Sequence, residues 1–456
     1  MKKIVSLLLS AAMILALAAG CGSNQNNPGS SAAPDSQGGS SAGEEQVELN
    51  FYAYGFQALV NLPGYEDQTR EPGDVYRLII DAFTADHPNV TINLVTLNPA
   101  GGGTEQLDLD LASGEKINLY YDSILRLTKY NGYDYYLDLS SYVPADTASD
   151  FVSGALDTER MWYLPTDSTA MTMCINKDIF ERIGATDLLP DPETREWTTD
   201  QFLAALQAVK DANLEDVYPC VLWAANQSGD ACNMSYLWGF GARFFDGGDY
   251  SKVVLDSEEG YAGMEFLSKL YSDGLAVPGA GALNDDDMLA MWPKGQIAIT
   301  GGYPYLETLG NTADEPFETY FVNYPSANGT NPPISPDYHA VAVFKSENEA
   351  ENKAAAEFAE YLTNSDWTVL LAQGAGCFTL RGSMEGKLEL SSEAAALQEL
   401  INRNGLLNYG PTCPKWPELR PVFASELQAM FNGSKTARQA VDDFTVAANR
   451  ILADNS

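Results

Sequence analysis

The sequence predicts an α/β fold that is organised around more than one hydrophobic core. Strand-like and helix-like patterns alternate along the chain from about residue 47. The part of the chain that follows the N-terminal region is roughly 410 residues long, which is more than a single core usually spans. Because strands joined by helices form parallel sheets covered on their faces, we expect mostly parallel sheets flanked by helices.

The first elements follow from the spacing of apolar residues. Residues 47–55 alternate between apolar and polar, as in a strand, and residues 74–87 have apolar residues at helical spacing. A second alternating segment covers 90–97, followed by a helix at 104–112 and an apolar strand at 117–121. This strand–helix–strand order predicts the beginning of a parallel sheet.

The N-terminus has the pattern of an export signal. Lys2 and Lys3 precede an apolar run at 4–19 that is shorter than a membrane-spanning helix, so residues 1–20 are predicted to be a signal peptide. The segment Leu17–Cys21 resembles a bacterial lipobox, which implies lipidation of Cys21; an ordinary signal peptide with a chance cysteine is the alternative. Residues 21–46 are rich in Ser, Gly and Asn and are predicted to be a flexible tether.

The charge balance excludes one class of partner. The chain carries 63 acidic and 26 basic residues, a formal net charge of −37. Nucleic-acid binding requires clustered Lys and Arg that neutralise phosphates, and the sequence has no such cluster. We therefore expect no nucleic-acid partner, and we interpret the acidity as a solvated surface.

Cysteine and histidine usage argues against a metal or cofactor. The chain has only two histidines, His87 and His339, and no C-x-x-C pair, so the usual spacing of transition-metal ligands is missing. The acidic run 285–287 lacks the calcium-loop pattern and is predicted to begin a helix. Five further cysteines could be free or form one or two disulfides, a choice that the sequence leaves open: Cys174, Cys220, Cys232, Cys377 and Cys413.

Several short motifs occur in an order that is characteristic of one family. They are Ala82–Pro88, Leu111–Gly114, Leu137–Val143, Trp162–Asp167, Cys174–Phe180 and Glu196–Phe202. Each alone mostly specifies a turn or a helix cap, but together the chain resembles the carbohydrate-type extracellular solute-binding proteins of ABC importers, the maltose-binding-protein-like family.

The resemblance implies a two-lobed, periplasmic-binding-protein-like fold with a hinge. In that arrangement the chain crosses between the lobes near Asp167, Glu318 and Asn364. The N-terminal lobe would comprise residues 47–167 and 318–363, and the C-terminal lobe residues 168–317 and 364–456.

Aromatic residues with polar neighbours are the candidates for ligand contact, because a sugar ring stacks on aromatic faces and its hydroxyl groups need hydrogen-bond partners. Tyr54 and Asp122 follow predicted strands, where ligand crevices form in α/β proteins. Tyr303 lies in a segment that resembles the family's stacking turn. Trp416 is flanked by prolines, which predicts an exposed loop. The full set of candidates is Tyr54, Asp122, Trp223, Trp238, Tyr303 and Trp416.

The expected function is that of a receptor. We expect a monomeric lipoprotein on the outer face of the cell membrane that captures a small solute, a sugar or oligosaccharide, and delivers it to an ABC permease without catalysis. A receptor for a peptide, polyamine or metal is the alternative, followed by a surface glycoside hydrolase, for which a carboxylate pair can be neither assigned nor ruled out among the many acidic residues.

Overall fold

The computed structural model describes residues 45–56, 59–97, 104–131, 134–157, 160–169, 171–226, 228–247, 249–327, 332–334, 338–407 and 413–454. Cys21, the predicted signal peptide and the predicted tether up to residue 44 lie outside this set. Within it, no helix combines the length and the apolar character that crossing a bilayer requires.

The strands form two separate sheets. Their bounds are β1 Val47–Tyr54, β2 Val90–Leu97, β3 Leu119–Ser123, β4 Leu164–Ser168, β5 Thr172–Asn176, β6 Tyr218–Cys220, β7 Ile297–Gly302, β8 Thr319–Val322, β9 Tyr338–Val343 and β10 Phe378–Thr379. One sheet has six strands in the order β10-β4-β9-β3-β1-β2, and the other has four in the order β6-β7-β5-β8. With the helices that pack on them, these sheets define a first lobe and a second lobe.

Helices connect and cover the strands. Their bounds are α1 Asp74–Asp86, α2 Thr104–Ser113, α3 Ile124–Asn131, α4 Thr147–Asp150, α5 Lys177–Ile183, α6 Thr199–Ala212, α7 Ser228–Trp238, α8 Glu258–Ser272, α9 Asp285–Met291, α10 Tyr305–Asn311, α11 Glu349–Thr363, α12 Asp366–Ala375, α13 Ser392–Asn404, α14 Trp416–Phe431 and α15 Ala437–Ala453. The α/β class and the order of the first predicted elements are confirmed.

The sheets are mixed rather than mostly parallel. In the first lobe β1 pairs in parallel with β2 and β3, but β9 runs antiparallel to both β3 and β4. In the second lobe β5 runs antiparallel to β7 and β8, and only the β6–β7 pair is parallel among the described pairs. The expectation of mostly parallel sheets is therefore wrong. Parallel neighbours need a long crossover connection, usually a helix, whereas a strand that enters a lobe from the other lobe can pair antiparallel with its neighbour without one.

Two of the expected lobe boundaries differ from the strand pairing. Residues 169–171 separate β4 from β5, close to the expected crossing at Asp167. β8 still belongs to the second sheet, so the return falls after Val322 rather than near Glu318. β10 pairs with β4, so residues 364–379 stay with the first lobe. The motif resemblance locates these elements along the chain but does not determine which sheet edge each one joins.

Local capping explains where several helices begin. Thr198 accepts a hydrogen bond from the backbone N–H of Gln201, whose side chain in turn accepts one from the Thr198 N–H, and α6 begins at the next residue, within the motif Glu196–Phe202. Asn284 and Asp287 form the same reciprocal pair at the start of α9. The run of acidic residues at 285–287 therefore lies in the first turn of a helix, where negative charge is favourable.

Candidate functional site

The first candidate surface lies where strands β1 and β3 end. The guanidinium carbon of Arg126 lies 4.3 Å from the centroid of the Tyr54 ring, over its face. Arg126 is on α3, one helical turn after Asp122, and its Nε donates to the Asp122 carboxylate at 3.1 Å. The Tyr54 ring is half-buried, and the Arg126 side chain keeps 32% of its surface exposed. These two side chains therefore present a charged donor group and an aromatic ring to solvent.

Asp122 is buried beneath this pair. It has no exposed surface, and its carboxylate accepts hydrogen bonds from the Tyr120 hydroxyl at 2.6 Å and the Ser123 N–H at 2.6 Å, in addition to Arg126. Burial raises the pKa of the Asp122 carboxyl above its ordinary value, although the Arg126 charge and these hydrogen bonds oppose the shift. In this structure Asp122 holds Arg126 in place and is not presented to a solute.

Phe56 extends the aromatic surface, and the buried His339 lies against it. The Tyr54 and Phe56 rings meet edge to face with centroids 4.7 Å apart, and the Phe56 ring lies 4.1 Å from the imidazole of His339. His339 pairs with Ser123 in the ladder between β9 and β3, so it lies at the same end of the sheet as Asp122. Neither Phe56 nor His339 was a ligand candidate in the sequence.

The second candidate surface lies at the end of β7 in the second lobe. The rings of Tyr303 and Tyr305 stack with centroids 5.8 Å apart and an interplanar angle of 20°. Tyr303 is half-buried and Tyr305 keeps 40% of its surface exposed. Tyr303 was predicted; Tyr305 was missed, although it follows the same strand end and is separated from Tyr303 only by Pro304. The two rings form an aromatic platform, the Tyr303–Tyr305 platform.

Glycines at the end of β7 make this turn possible. A Cβ on Gly301 would lie 2.2 Å from the Tyr324 hydroxyl, and one on Gly302 would lie 2.4 Å from a methyl group of Leu306. A side chain at either position would have to displace the Tyr324 ring or the Leu306 side chain. The two glycines therefore allow β7 to pack closely on these side chains just before the Tyr303–Tyr305 platform.

The three candidate tryptophans lie in the core of the second lobe. Trp238 and Trp416 are 3% and 1% exposed, and both rings pack against Phe244 with centroids 5.5 Å apart. Trp223 is 3% exposed at the end of β6. The prediction that Trp416 lies in an exposed loop is wrong, because α14 begins at this residue and Pro417 occupies its first turn, where a missing N–H costs nothing.

The lobes also touch through helices. α14 packs on α7, α8 and α15 of the second lobe and in addition contacts α3 of the first lobe. Since α3 carries Arg126, this contact brings the base of the Tyr54–Arg126 surface next to the second lobe. No disulfide joins any of the described cysteines, all of which are buried: Cys174, Cys220, Cys232, Cys377 and Cys413.

One group of side chains has the chemistry of metal ligands. Asp167, His339 and Cys377 each offer a ligand-type atom, and these atoms all lie within 4.8 Å of one another. The expectation that metal ligands are missing rested on spacing along the chain. Spacing along the chain does not predict which residues meet in space, and here residues far apart in sequence meet on or beside neighbouring strands.

Two α/β lobes between which the chain passes, with aromatic and donor groups at strand ends, have the architecture of a protein that binds a small solute. The chain belongs to the bacterial extracellular solute-binding protein family, whose model matches residues 66–369. The family is one of binding proteins that act outside the cytoplasm.

Sequence relatives and solved structures agree with this assignment. Proteins named as binding proteins from Brucella abortus strain 2308 and Brucella suis biovar 1 are each 20% identical over 401 residues, which is 85% of this chain and 92% of theirs. The cyclic α-maltosyl-1,6-maltose binding protein from Arthrobacter globiformis has a TM-score of 0.71 at 20% identity, over 89% of this chain and 98% of that protein.

Two further structures have the same fold. The sugar-binding protein MalE from Xanthomonas citri has a TM-score of 0.71 at 14% identity and covers 89% of this chain and 97% of its own. A Listeria monocytogenes substrate-binding protein in complex with cycloalternan has a TM-score of 0.62 at 17% identity, with coverages of 89% and 99%. At these identities the likeness establishes the two-lobed fold.

Proposed function

We propose that this protein captures a carbohydrate, an oligosaccharide or a smaller sugar, between its lobes and delivers it to an ABC permease. The observation that carries the proposal is the Tyr303–Tyr305 platform, two stacked rings that retain solvent exposure at a strand end. A pyranose presents an apolar CH face that stacks on such rings. The sugar complexes of the structural neighbours support the same ligand class.

The first lobe supplies the polar half of the proposed site. Arg126 and the half-buried Tyr54 offer donor groups and an aromatic face to a sugar. Asp122 acts indirectly by fixing Arg126. Trp223, Trp238 and Trp416 support the shape of the second lobe, and their buried rings serve as scaffold rather than as ligand contacts.

Closure of the two lobes around the ligand is the proposed mechanism. The chain passes between the lobes from β4 to β5 and from β8 to β9, and a solute that contacts both Arg126 and the Tyr303–Tyr305 platform favours the closed population by its differential affinity. We further propose that the receptor is monomeric, does no chemistry, and is held at the outer face of the cell membrane by a lipid on Cys21.

A receptor for a peptide, polyamine or metal is the second candidate. The exposed part of Arg126 is the observation that favours an anionic group, such as a peptide carboxylate, over a neutral solute. A glycoside hydrolase is less favoured, because Asp122, the buried carboxylate at this surface, is already saturated by three donors.

A thermal-shift screen of the protein against mono-, oligosaccharides and short peptides tests the proposal. A ligand at 100 times its Kd stabilises the folded state by about 2.7 kcal/mol, so a true ligand raises the unfolding temperature measurably. Small-angle scattering with the best ligand should show a smaller radius of gyration. Stabilisation by peptides but by no sugar would favour a peptide receptor over a sugar receptor. Steady release of reducing ends from an oligosaccharide would show that the protein is an enzyme.

A further inference from the structure

Three neighbouring strands bring an acid, an imidazole and a thiol together at the crossing between the lobes. Asp167 on β4 is in register with His339 on β9 and with Thr379 on β10, and Cys377 immediately precedes β10. His339 is separated from Asp167 by 172 residues along the chain. The sheet order β10-β4-β9 is therefore what assembles the group.

The three side chains lie in a protein interior. Asp167, His339 and Cys377 are 1%, 8% and 3% exposed. The Asp167 Oδ1 and His339 Nδ1 atoms are 2.6 Å apart, and the other carboxylate oxygen accepts a hydrogen bond from the Thr166 hydroxyl at 2.8 Å. On the open side the Phe56 ring lies against the imidazole. Packing on these sides restricts the rotation of the imidazole and the carboxylate.

We propose that Asp167, His339 and Cys377 bind one divalent transition-metal ion, and that Zn²⁺ fits the donor set best. Thiolate, imidazole and carboxylate are the three ligand types that zinc accepts, at about 2.0–2.3 Å from the metal. Ca²⁺ and Mg²⁺ require oxygen donors and are disfavoured by the sulfur and nitrogen atoms. Binding displaces the thiol proton of Cys377 and the proton shared by Asp167 and His339 to solvent.

The required rearrangement is small. Donor atoms around a tetrahedral zinc are roughly 3.3–3.7 Å apart, given those bond lengths. The donors of this group already lie within 4.8 Å of one another, and the imidazole and carboxylate need to separate by about 1 Å from their 2.6 Å contact. Three protein ligands leave the fourth position for water or for the Tyr121 hydroxyl, which lies 3.4 Å from Asp167.

Because the site lies where the chain crosses between the lobes, a bound metal would stabilise that part of the fold. β4 leads through residues 169–171 into the second lobe, and β9 is the strand by which the chain has returned. A metal that joins β4, β9 and the segment before β10 ties the crossing strands together. Binding should therefore stabilise the folded chain by mass action, independently of which solute the cleft takes.

Titration of the chelator-treated full chain with Co²⁺ tests the site. A thiolate ligand gives a sulfur-to-cobalt charge-transfer band, and tetrahedral coordination gives intense visible bands. We expect one Co²⁺ per chain with both features, displaced by Zn²⁺, and a Zn²⁺-dependent rise in the unfolding temperature. Absence of the charge-transfer band in the wild-type chain, or a stoichiometry far from one, would overturn the proposal without any variant.

Matched variants assign the ligands. Cys377→Ser should abolish the charge-transfer band and weaken metal affinity at least about 10-fold, whereas Cys413→Ser, at another buried cysteine, should retain both. His339→Gln should weaken affinity similarly, and His87→Gln, at the other histidine, should not. Circular dichroism checks that each variant is folded. An unchanged band in folded Cys377→Ser, or loss of the band in Cys413→Ser, would contradict the assigned ligand set.

Discussion

Arg126 covers one face of the Tyr54 ring at 4.3 Å, and the orientation of its guanidinium is set from below by a carboxylate with no exposed surface. Asp122 lies on β3 and Arg126 four residues later on α3, so the pair joins the end of the strand to the first turn of the following helix. The aromatic contact adds about 0.5–2 kcal/mol to this ion pair. The pair therefore links the fold of the first lobe to its proposed ligand surface.

Replacing Arg126 should destabilise the protein through Asp122. Arg126→Ala leaves a buried carboxylate without its cation, so the free energy of unfolding should fall by about 2–3 kcal/mol in urea denaturation. The double variant Arg126→Ala/Asp122→Asn should recover part of that loss, because a neutral amide is less costly to bury. If the two changes were simply additive, the pair would not be coupled as described.

Trp416 should matter for stability and not directly for affinity. Its ring is buried against Phe244, so Trp416→Ala should lower the free energy of unfolding by about 3–5 kcal/mol, whereas Trp416→Phe should cost less. Ligand affinity of folded Trp416→Phe should match that of the wild type in calorimetry. A large loss of affinity with unchanged stability would instead indicate that Trp416 contacts the ligand.

Glu351 should make stability depend on pH. Burial of its carboxyl opposes ionisation, but hydrogen bonds from Lys116, Ser346 and Asn118 lower the pKa of Glu351 below its ordinary value of 4.5. The stabilisation is therefore present above 4.5 and is lost as the pH falls through the lower folded-state value.

Glu351→Gln should accordingly cost about 1–2 kcal/mol at neutral pH and progressively less in acid, as measured by urea denaturation across that range. The exposed neighbour Glu347 provides the control, since Glu347→Gln should leave the pH profile unchanged. A difference in the free energy of unfolding between Glu351→Gln and the wild type that grows towards acid pH would contradict a lowered pKa of Glu351.

The proposed anchor predicts a change in cellular fractionation. Cys21→Ala should move the protein from the membrane fraction to the soluble fraction in immunoblots, while Ser23→Ala should leave it in the membrane fraction. Both residues lie in the segment predicted to be a flexible tether, so neither change should alter the unfolding temperature. Continued membrane association of Cys21→Ala would exclude lipid as the sole anchor.

Local patterns in the sequence predicted the elements that depend on local physics. The alternation at 47–55 predicted a strand because one face of β1 packs on the core, and the motif Glu196–Phe202 indicated a helix cap because the capping residues Thr198 and Gln201 lie only three positions apart. Arg126 left no such signal, because Asp122 lies on β3 and Arg126 on α3, so a single periodic pattern does not cover both residues. The exposure of Tyr305 could not be predicted either, since alternation and spacing do not distinguish a surface ring from a core ring.

Features that depend on long-range packing were missed. The prolines that flank Trp416 predicted a loop. Its burial instead depends on packing against Phe244, which is distant in sequence. Which sheet β8 and β10 each join depends on which sheet edge is available to pair with them. The group of Asp167, His339 and Cys377 left no pattern in the sequence, because the three residues come from β4, β9 and the segment before β10, which are far apart along the chain.

Calorimetric titration of platform variants tests the central claim, that a sugar stacks on the Tyr303–Tyr305 platform, most directly. With the best sugar from the screen, Tyr303→Ala and Tyr305→Ala should each weaken binding about 10- to 100-fold, which corresponds to about 1–3 kcal/mol per ring. Tyr135→Ala removes a ring of similar exposure, 42%, beside Phe344 at the opposite end of the first sheet, and should bind as the wild type does. Unchanged affinity in both platform variants, or an equal loss in Tyr135→Ala, would contradict the account.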